Sequence, residues 1–385
     1  MKVCIILPKG LPVPATMGGA IETLMNHIVD VNEREHKMDI TVVSTFNSEA
    51  YKASKKYKCS NYIYINPNSL GYKLESLRVH ILNLFGKHLN TYNEQALRRI
   101  KNIKYDRILV EDGAFHSFES YLKYFKKDQM ILHFHHVGNS DDHTDNTYSR
   151  FIGVSDYVLK TFKHTSGIND LNVLRNGIDI NKFSKNISAK ERDSIRTNLG
   201  FKKDDFVVVY CGRIIKEKGV LELIQAINKI DNDKIKLMII GSTNFGTNSK
   251  NSYLDIINKL VLESNGRIKT TGFIDNKEVY KYYKISDIGV IPSICEDAAP
   301  LVVVENMASG LPLIVTLSGG APEYATEDTI VVAKDDFIST NIKNAIEKLY
   351  SDSALRDKMS KSGLKKAKEF TLENFYHNLV KILEK

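Results

Sequence analysis

The sequence predicts an α/β protein built from two doubly wound, Rossmann-like parallel sheets, and three observations predict it. Short β-branched runs alternate with helical stretches along the whole chain, the pattern of parallel strands covered on both faces. The 385 residues exceed one ordinary core and suit two domains of roughly 190 residues each. Between the two sets of strands, residues 181–205 lose the strand signal and turn polar and charged.

In the first half the runs predict strands at 3–7, 40–44, 62–65, 107–110, 130–134, 151–154 and 172–174. In the second half they predict strands at 207–211, 235–240, 268–272, 288–291, 313–316 and 330–333. A linker near 181–200 divides the chain into domains 1–185 and 186–370. Helical segments at 341–350, 354–369 and 372–384 close the chain, with no strand after them. No internal repeat or low-complexity tract interrupts the pattern.

With 42% hydrophobic and 26% charged residues, the chain reads as soluble and globular. No apolar run approaches the roughly 18 residues of a membrane-spanning helix, and 3–7 is too short for a signal-peptide core, so a cytoplasmic protein is expected. Cys4, Cys59, Cys211 and Cys295 lack metal-ligand spacing and are expected as reduced thiols.

The net charge of +8 sits in the first half, where residues 1–190 hold 26 Lys and Arg against 19 Asp and Glu. Residues 51–104 concentrate it, with eleven basic side chains against Glu75 and Glu94. Interleaved with Leu74, Leu77, Ile81, Leu84 and Phe85, they read either as a basic amphipathic surface for anionic lipid at the inner face of a membrane or for polyanionic glycan, or as a solvated helix face. No nucleic-acid motif and no repeated basic and aromatic cluster is present, so nucleic acid is not an expected partner.

The stretch 292–323 carries the most chemistry. Glu296 and Asp297 precede a short apolar helix that Pro300 can open, and Glu305 lies two turns into that helix. The free amides of Leu301 and Val302 then face whatever lies beyond the helix start, and Asp297 and Glu305 can accept hydrogen bonds from sugar hydroxyls. Carboxylates at a helix start also suit the dipole of an ordinary βα unit. Upstream, Cys211-Gly212-Arg213 to Lys218-Gly219 closes a strand and opens a helix. Ligands of open α/β sheets bind beyond strand carboxyl ends, so Arg213 and Lys218 fall where a diphosphate would lie, and a guanidinium fork and an ammonium suit its departure. Gly241-Ser242 and Phe273 end the next two strands.

In the first half Gly18 and Gly19 join the first strand to a helix, where a backbone without side chains can approach phosphate. Glu111 and Asp112 follow the strand at 107–110, and His133, His135 and His136 lie on the next one. Alternation puts His133 and His135 on one face, where one of them could orient or deprotonate a hydroxyl, or sit as a satisfied core histidine. Asn176-Gly177-Ile178-Asp179 marks a turn. Asp231-Asn232-Asp233 has an Asp-x-Asp form but lies in a polar turn, and no Gly-x-Gly-x-x-Gly follows a strand, so neither a metal nor a dinucleotide cofactor is expected.

Together these segments resemble the retaining glycosyltransferases of family 4, whose acidic signature is two glutamates separated by seven residues. Asp297 takes the place of the first and Glu305 that of the second, a shorter carboxylate being a departure from the pattern. The resemblance implies a GT-B fold, two Rossmann-like domains facing each other across a cleft, with residues 371–385 returning to the N-terminal, acceptor-side domain. It implies transfer of a sugar, from a UDP-linked rather than a GDP-linked donor, to a hydroxyl of a glycan or lipid-linked acceptor with retained configuration and no metal. The implied catalytic residues are Asp297, Glu305, His135 and Glu111. The implied donor-binding residues are Gly18, Gly19, Arg213, Lys218, Gly241 and Phe273, with Asp297, Ala299, Pro300, Leu301, Val302 and Glu305. A nucleotide-sugar epimerase and a catalytically silent surface or coat component are the alternatives.

Overall fold

The computed structural model describes residues 1–138, 141–162, 168–242 and 252–385. They form two compact units, Met1–Gly177 with Leu372–Lys385, and Ile178–Thr371.

The first unit alternates β1 (Lys2–Ile6), α1 (Ala20–Glu35), β2 (Asp39–Thr45), α2 (Ser48–Ser54), β3 (Ser60–Ile65), α3 (Leu70–Leu84) and α4 (Thr91–Ile100). It continues through β4 (Arg107–Glu111), β5 (Met130–Phe134), α5 (Asp142–Thr147), β6 (Arg150–Gly153), α6 (Asp156–Thr161) and β7 (Asp170–Val173). The strands make one parallel sheet in the order β3-β2-β1-β4-β5-β6-β7. Side-chain caps mark where its helices begin: Asn47 accepts from the amides of Glu49 and Ala50, Ser69 from Tyr72, and Asn90 from Tyr92 and Asn93.

The second unit opens with α7 (Ile180–Ser184), α8 (Ala189–Asn198), β8 (Phe206–Cys211), α9 (Val220–Asn228), β9 (Ile235–Ile240) and α10 (Ser252–Glu263). It goes on with β10 (Ile268–Gly272), α11 (Val279–Lys284), β11 (Ile288–Ile291), α12 (Leu301–Ala308), β12 (Leu313–Thr316) and α13 (Ala321–Tyr324). It ends with β13 (Ile330–Val332), α14 (Ile338–Ser351) and α15 (Ser353–Ala367). Its parallel sheet runs β10-β9-β8-β11-β12-β13. Phe206, Val208 and Tyr210 of β8 enter the core on one face, and Val207 and Val209 enter the core on the other. This is why the strand reads as a continuous apolar run instead of an alternation.

Residues 181–200, expected as a linker, are instead α7 and α8, and the first unit ends at Gly177 instead of at residue 185. Ile178 and Phe183 are buried in the second core. Arg196 is buried too, its guanidinium donating to the Ile285 carbonyl at 3.0 Å and the Asp287 carboxylate at 2.9 Å. A charged side chain satisfied this way lets a polar segment fold into a domain.

The last helix, α16 (Leu372–Glu384), packs in the first unit against α1. Phe375, Tyr376, Leu379, Val380 and Leu383 line the core below β1 and β2. Two buried-side arginines receive its free terminal carbonyls: Arg107 Nε donates to Leu383 at 2.9 Å, and Arg150 Nη1 donates to Ile382.

Candidate active site

The carboxyl ends of the strands in the second unit converge on one rim, because the loops after four neighbouring strands are joined by backbone contacts. Ile214, after β8, donates its amide to the Ser242 carbonyl after β9 at 3.1 Å. Ile294 and Cys295, after β11, donate to the Glu217 carbonyl at 3.0 and 3.2 Å. Gly320, after β12, donates to the Asp297 carbonyl at 2.7 Å. Two glycines permit these approaches. A Cβ on Gly219 (φ +68°) would stand 1.9 Å from the Pro292 carbonyl oxygen, and one on Gly241 (φ +136°) would stand 1.9 Å from that of Gly212.

On this rim Lys218 Nζ meets Asp297 Oδ1 at 2.5 Å, and Ser293 Oγ donates to Asp297 Oδ2 at 2.7 Å. Both carboxylate oxygens of Asp297 are thus fixed. Its neighbour Glu296 faces elsewhere, receiving the Gly319 amide at 2.6 Å and Lys334 Nζ. Arg213 is exposed, held by its carbonyl on the Tyr210 hydroxyl at 2.7 Å, and its guanidinium has no ion-pair partner among the described residues. Helix α12 begins at Leu301 with Pro300 as its cap residue, one position later than a first-turn proline would place it, and the Pro300 carbonyl accepts from Val303 at 3.0 Å. Ala299, Leu301 and Val302 are half-buried against the core. Phe273 stands 64% exposed beyond the end of β10, at the sheet edge.

Glu305 lies deeper, and its surroundings include residues that sequence reasoning missed. Tyr283 donates its hydroxyl to Glu305 Oε2 at 3.0 Å. Burial pushes the Glu305 carboxyl upward, while the tyrosine hydrogen bond and the Lys182 ammonium pull it back part of the way. Lys182 comes from α7; burial lowers its pKa and the Glu305 and Asp179 charges counter the shift. Its ammonium also reaches Asn276. The signal for Lys182 was its place one helical turn after the Asp179 cap; Tyr283 carried no signal, since only the fold brings it to α12.

In the first unit Glu111 ends β4, His133 lies on adjacent β5 and His135 follows just past the end of that strand. Strand pairing sets Glu111 opposite His133, and the two histidines share a face with ring centroids 4.1 Å apart. His135 Nε2 lies 2.6 Å and His133 Nδ1 3.0 Å from Glu111 Oε2. Burial alone would raise Glu111, but the two imidazoles outweigh it and lower its pKa to about 2. Burial depresses His133, whereas for His135 the opposing Glu111 hydrogen bond and charge win and its pKa rises. The surroundings therefore favour the charged forms of Glu111 and His135 and the neutral form of His133.

Glu22, buried in the first turn of α1, adds a second carboxylate on the His135 side. It ties this group to the glycine turn, because a Cβ on Gly19 (φ +96°) would meet Glu22 Oε2 at 2.1 Å. Gly18 is exposed beside it with φ +80°. His136 pairs separately with Asp112 at 2.9 Å. Glu111, His133 and His135 also present ligand atoms within 4.8 Å of one another, the one such group of three among the described residues that could hold a metal ion. The predicted residues thus form two groups. Arg213, Lys218, Gly241, Phe273, Asp297, Pro300 and Glu305 line the rim of the second unit, and Gly18, Gly19, Glu111 and His135 gather in the first.

Two doubly wound parallel units with these strand orders have the GT-B architecture. The fold is shared with the Anabaena HepE crystallised with UDP, at a TM-score of 0.78 and 17% identity over 100% of both chains. It is shared as well with a glycosyltransferase of Rickettsia africae, at a TM-score of 0.77 and 17% identity over 100% of this chain and 98% of that one. Residues 191–366 match the family described as glycosyl transferases group 1. Among full-length relatives, the spore coat protein SA of Bacillus subtilis is 24% identical over 100% of both chains. The lipopolysaccharide 1,2-N-acetylglucosaminetransferase of Salmonella typhimurium is 23% identical over 72% of this chain and 73% of its own.

Proposed function

We propose that the protein moves a sugar, with retained configuration, from a UDP-linked donor to a hydroxyl of a glycan or lipid-linked acceptor in cell-surface polysaccharide synthesis. The observation that carries the reading is the rim of the second unit, where Lys218 is fixed on Asp297 at 2.5 Å and Arg213, on the same loop after β8, exposes a guanidinium with no ion-pair partner among the described residues. Two cations so placed offset the negative charge that builds on a diphosphate as the glycosidic bond breaks. Glu305, with Oε2 held by Tyr283, keeps Oε1 for a donor hydroxyl, and Asp297 is held for the sugar. UDP is favoured over GDP by the UDP and UDP-glucose complexes of HepE. In the first unit, His135 on Glu111 is the group assigned to the acceptor hydroxyl.

The four cysteines are free thiols, which supports a reaction in the reducing cytoplasm. Among the described residues no helix is long and apolar enough to cross a membrane. The basic segment 51–104 supports contact with an anionic membrane from one side.

The test is nucleoside diphosphate release from a panel of UDP- and GDP-sugars, with and without cell-envelope glycolipid. Release that depends on the acceptor, with a product of retained anomeric configuration by NMR, is the expected result. An altered sugar formed without acceptor would indicate an epimerase. The name of the full-length B. subtilis relative brings in a coat component as the second reading, and absence of both donor binding and turnover would support it.

A further inference from the structure

Helix α3 is apolar on two opposite sides. Tyr72, Glu75 and Val79 turn inward and are buried, while Leu70, Leu74, Leu77, Ile81, Leu84 and Phe85 stand 46 to 79% exposed. At 100° per residue the first five follow one another at intervals of four, three, four and three and form a single stripe on the face away from the core. Water-facing helix surfaces are ordinarily polar, and five large apolar side chains in one row, followed by Phe85 at the helix end, mark a contact surface.

Charge identifies what covers it. Lys73 flanks the stripe on one side and Arg78 on the other. The lone carboxylate of α3, Glu75, is 2% exposed and pairs with Arg78 at 2.6 Å and Arg98 at 2.8 Å, so α3 shows no acidic group to solvent. Residues 66–104 as a whole carry seven Lys and Arg against two Glu. A second copy of this helix would bring like charges together along its flanks, whereas anionic headgroups complement them. The helix has 15 residues, about 22 Å at 1.5 Å per residue, too short to cross a bilayer and suited to lying in its interface.

The stripe is also anchored to the candidate site of its own unit. Lys9, in the loop after β1, lies 5.5 Å over the ring of Tyr72. Gln95 of α4 donates to the Gly71 carbonyl at 3.2 Å, and Asn93 donates to the Ala114 carbonyl just beyond Glu111 and Asp112 at 3.1 Å. The first turns of α3 and α4 are thereby joined to the loops that follow β1 and β4.

We propose that α3 docks the protein on an anionic lipid surface, its apolar stripe immersed among the acyl chains, and that the acceptor is consequently carried on a lipid. This rests on the glycosyltransferase reading for its second half alone. Because the chain has no tryptophan, Phe85→Trp provides a single reporter on the stripe. It should show blue-shifted emission with phosphatidylcholine vesicles containing 30 mol% phosphatidylglycerol (about the charge of an anionic leaflet), and tenfold weaker binding to phosphatidylcholine alone. Co-sedimentation of Leu77→Glu/Leu84→Glu with the anionic vesicles should fall at least tenfold while UDP binding stays unchanged.

Equal sedimentation of the variant and the parent protein, or no sedimentation of the parent, would overturn the proposal. A lipid-free dimer that the double variant dissociates would overturn it as well, by making a second copy the occupant. Loss of UDP binding in every form would count against the enzyme reading and leave the vesicle result to stand by itself.

Discussion

Glu111 shows how one buried charge organises its neighbours. A carboxylate with no water around it is costly, and this one is ionised because the two imidazoles face it. Its pKa lies at about 2 against 4.5 for the unperturbed group, so its contribution to stability is complete above pH 4.5 and disappears as the pH falls toward 2. His135 has the opposite sign. Its raised pKa means a contribution that is complete below pH 6.5 and is lost as the pH climbs through the folded value, with Glu111, Asp112 and Glu22 as the facing carboxylates and His133 as the facing base. Thermal melts from pH 6 to 9 should therefore show the parent protein losing stability relative to His135→Gln. A parallel decline of the two proteins would contradict the assignment.

Tyr283→Phe deletes the one described donor to Glu305, and leaving a buried acceptor unsatisfied costs about 1–3 kcal/mol. A lowered melting temperature and weaker UDP binding should accompany it, both measurable by calorimetry. At this scale the sequence was partly legible. Arg213, Lys218, Asp297 and Glu305 were visible because each lies within a short motif at a strand end. Tyr283 was not, because it reaches Glu305 from α11 and nothing local announces that contact, and Lys182 comes from α7 with its place after the Asp179 cap as the single local sign.

Elements were more legible than their roles. The central strands could be found because they are short apolar runs buried on both faces, and α16 because its buried residues recur with helical spacing. Helices α7 and α8 could not, since each is short and polar in sequence, with few apolar residues such as Phe183 and Ile195 on the core, while capped starts and, in α8, the buried Arg196 pair complete them. The tight elements at the rim respond to single atoms. Gly219→Ala must add a methyl 1.9 Å from a backbone oxygen in a left-handed conformation, so we expect a loss of more than 1 kcal/mol of stability, the scale of combined backbone strain and overpacking, and a drop in UDP affinity. In α16, Leu379→Ala removes a fully buried side chain and should cost about 2–5 kcal/mol in urea unfolding. An unchanged midpoint would mean that the helix is not part of the first unit's core.

Across the whole molecule, each unit has its own sheet and core, and the C-terminal helix returns to the first. The excess of positive charge belongs to the first unit's half of the sequence, where α3 adds its exposed stripe. The second unit contributes the segment that matches glycosyl transferases group 1 and the cationic rim. The central claim is that this rim neutralises a diphosphate. Titration calorimetry of UDP with the parent protein, Arg213→Ala and Lys218→Ala tests it most directly. The account predicts at least a tenfold loss of affinity in each variant, about 1.4 kcal/mol, with folding intact by circular dichroism. Equal affinity in all three proteins would contradict it.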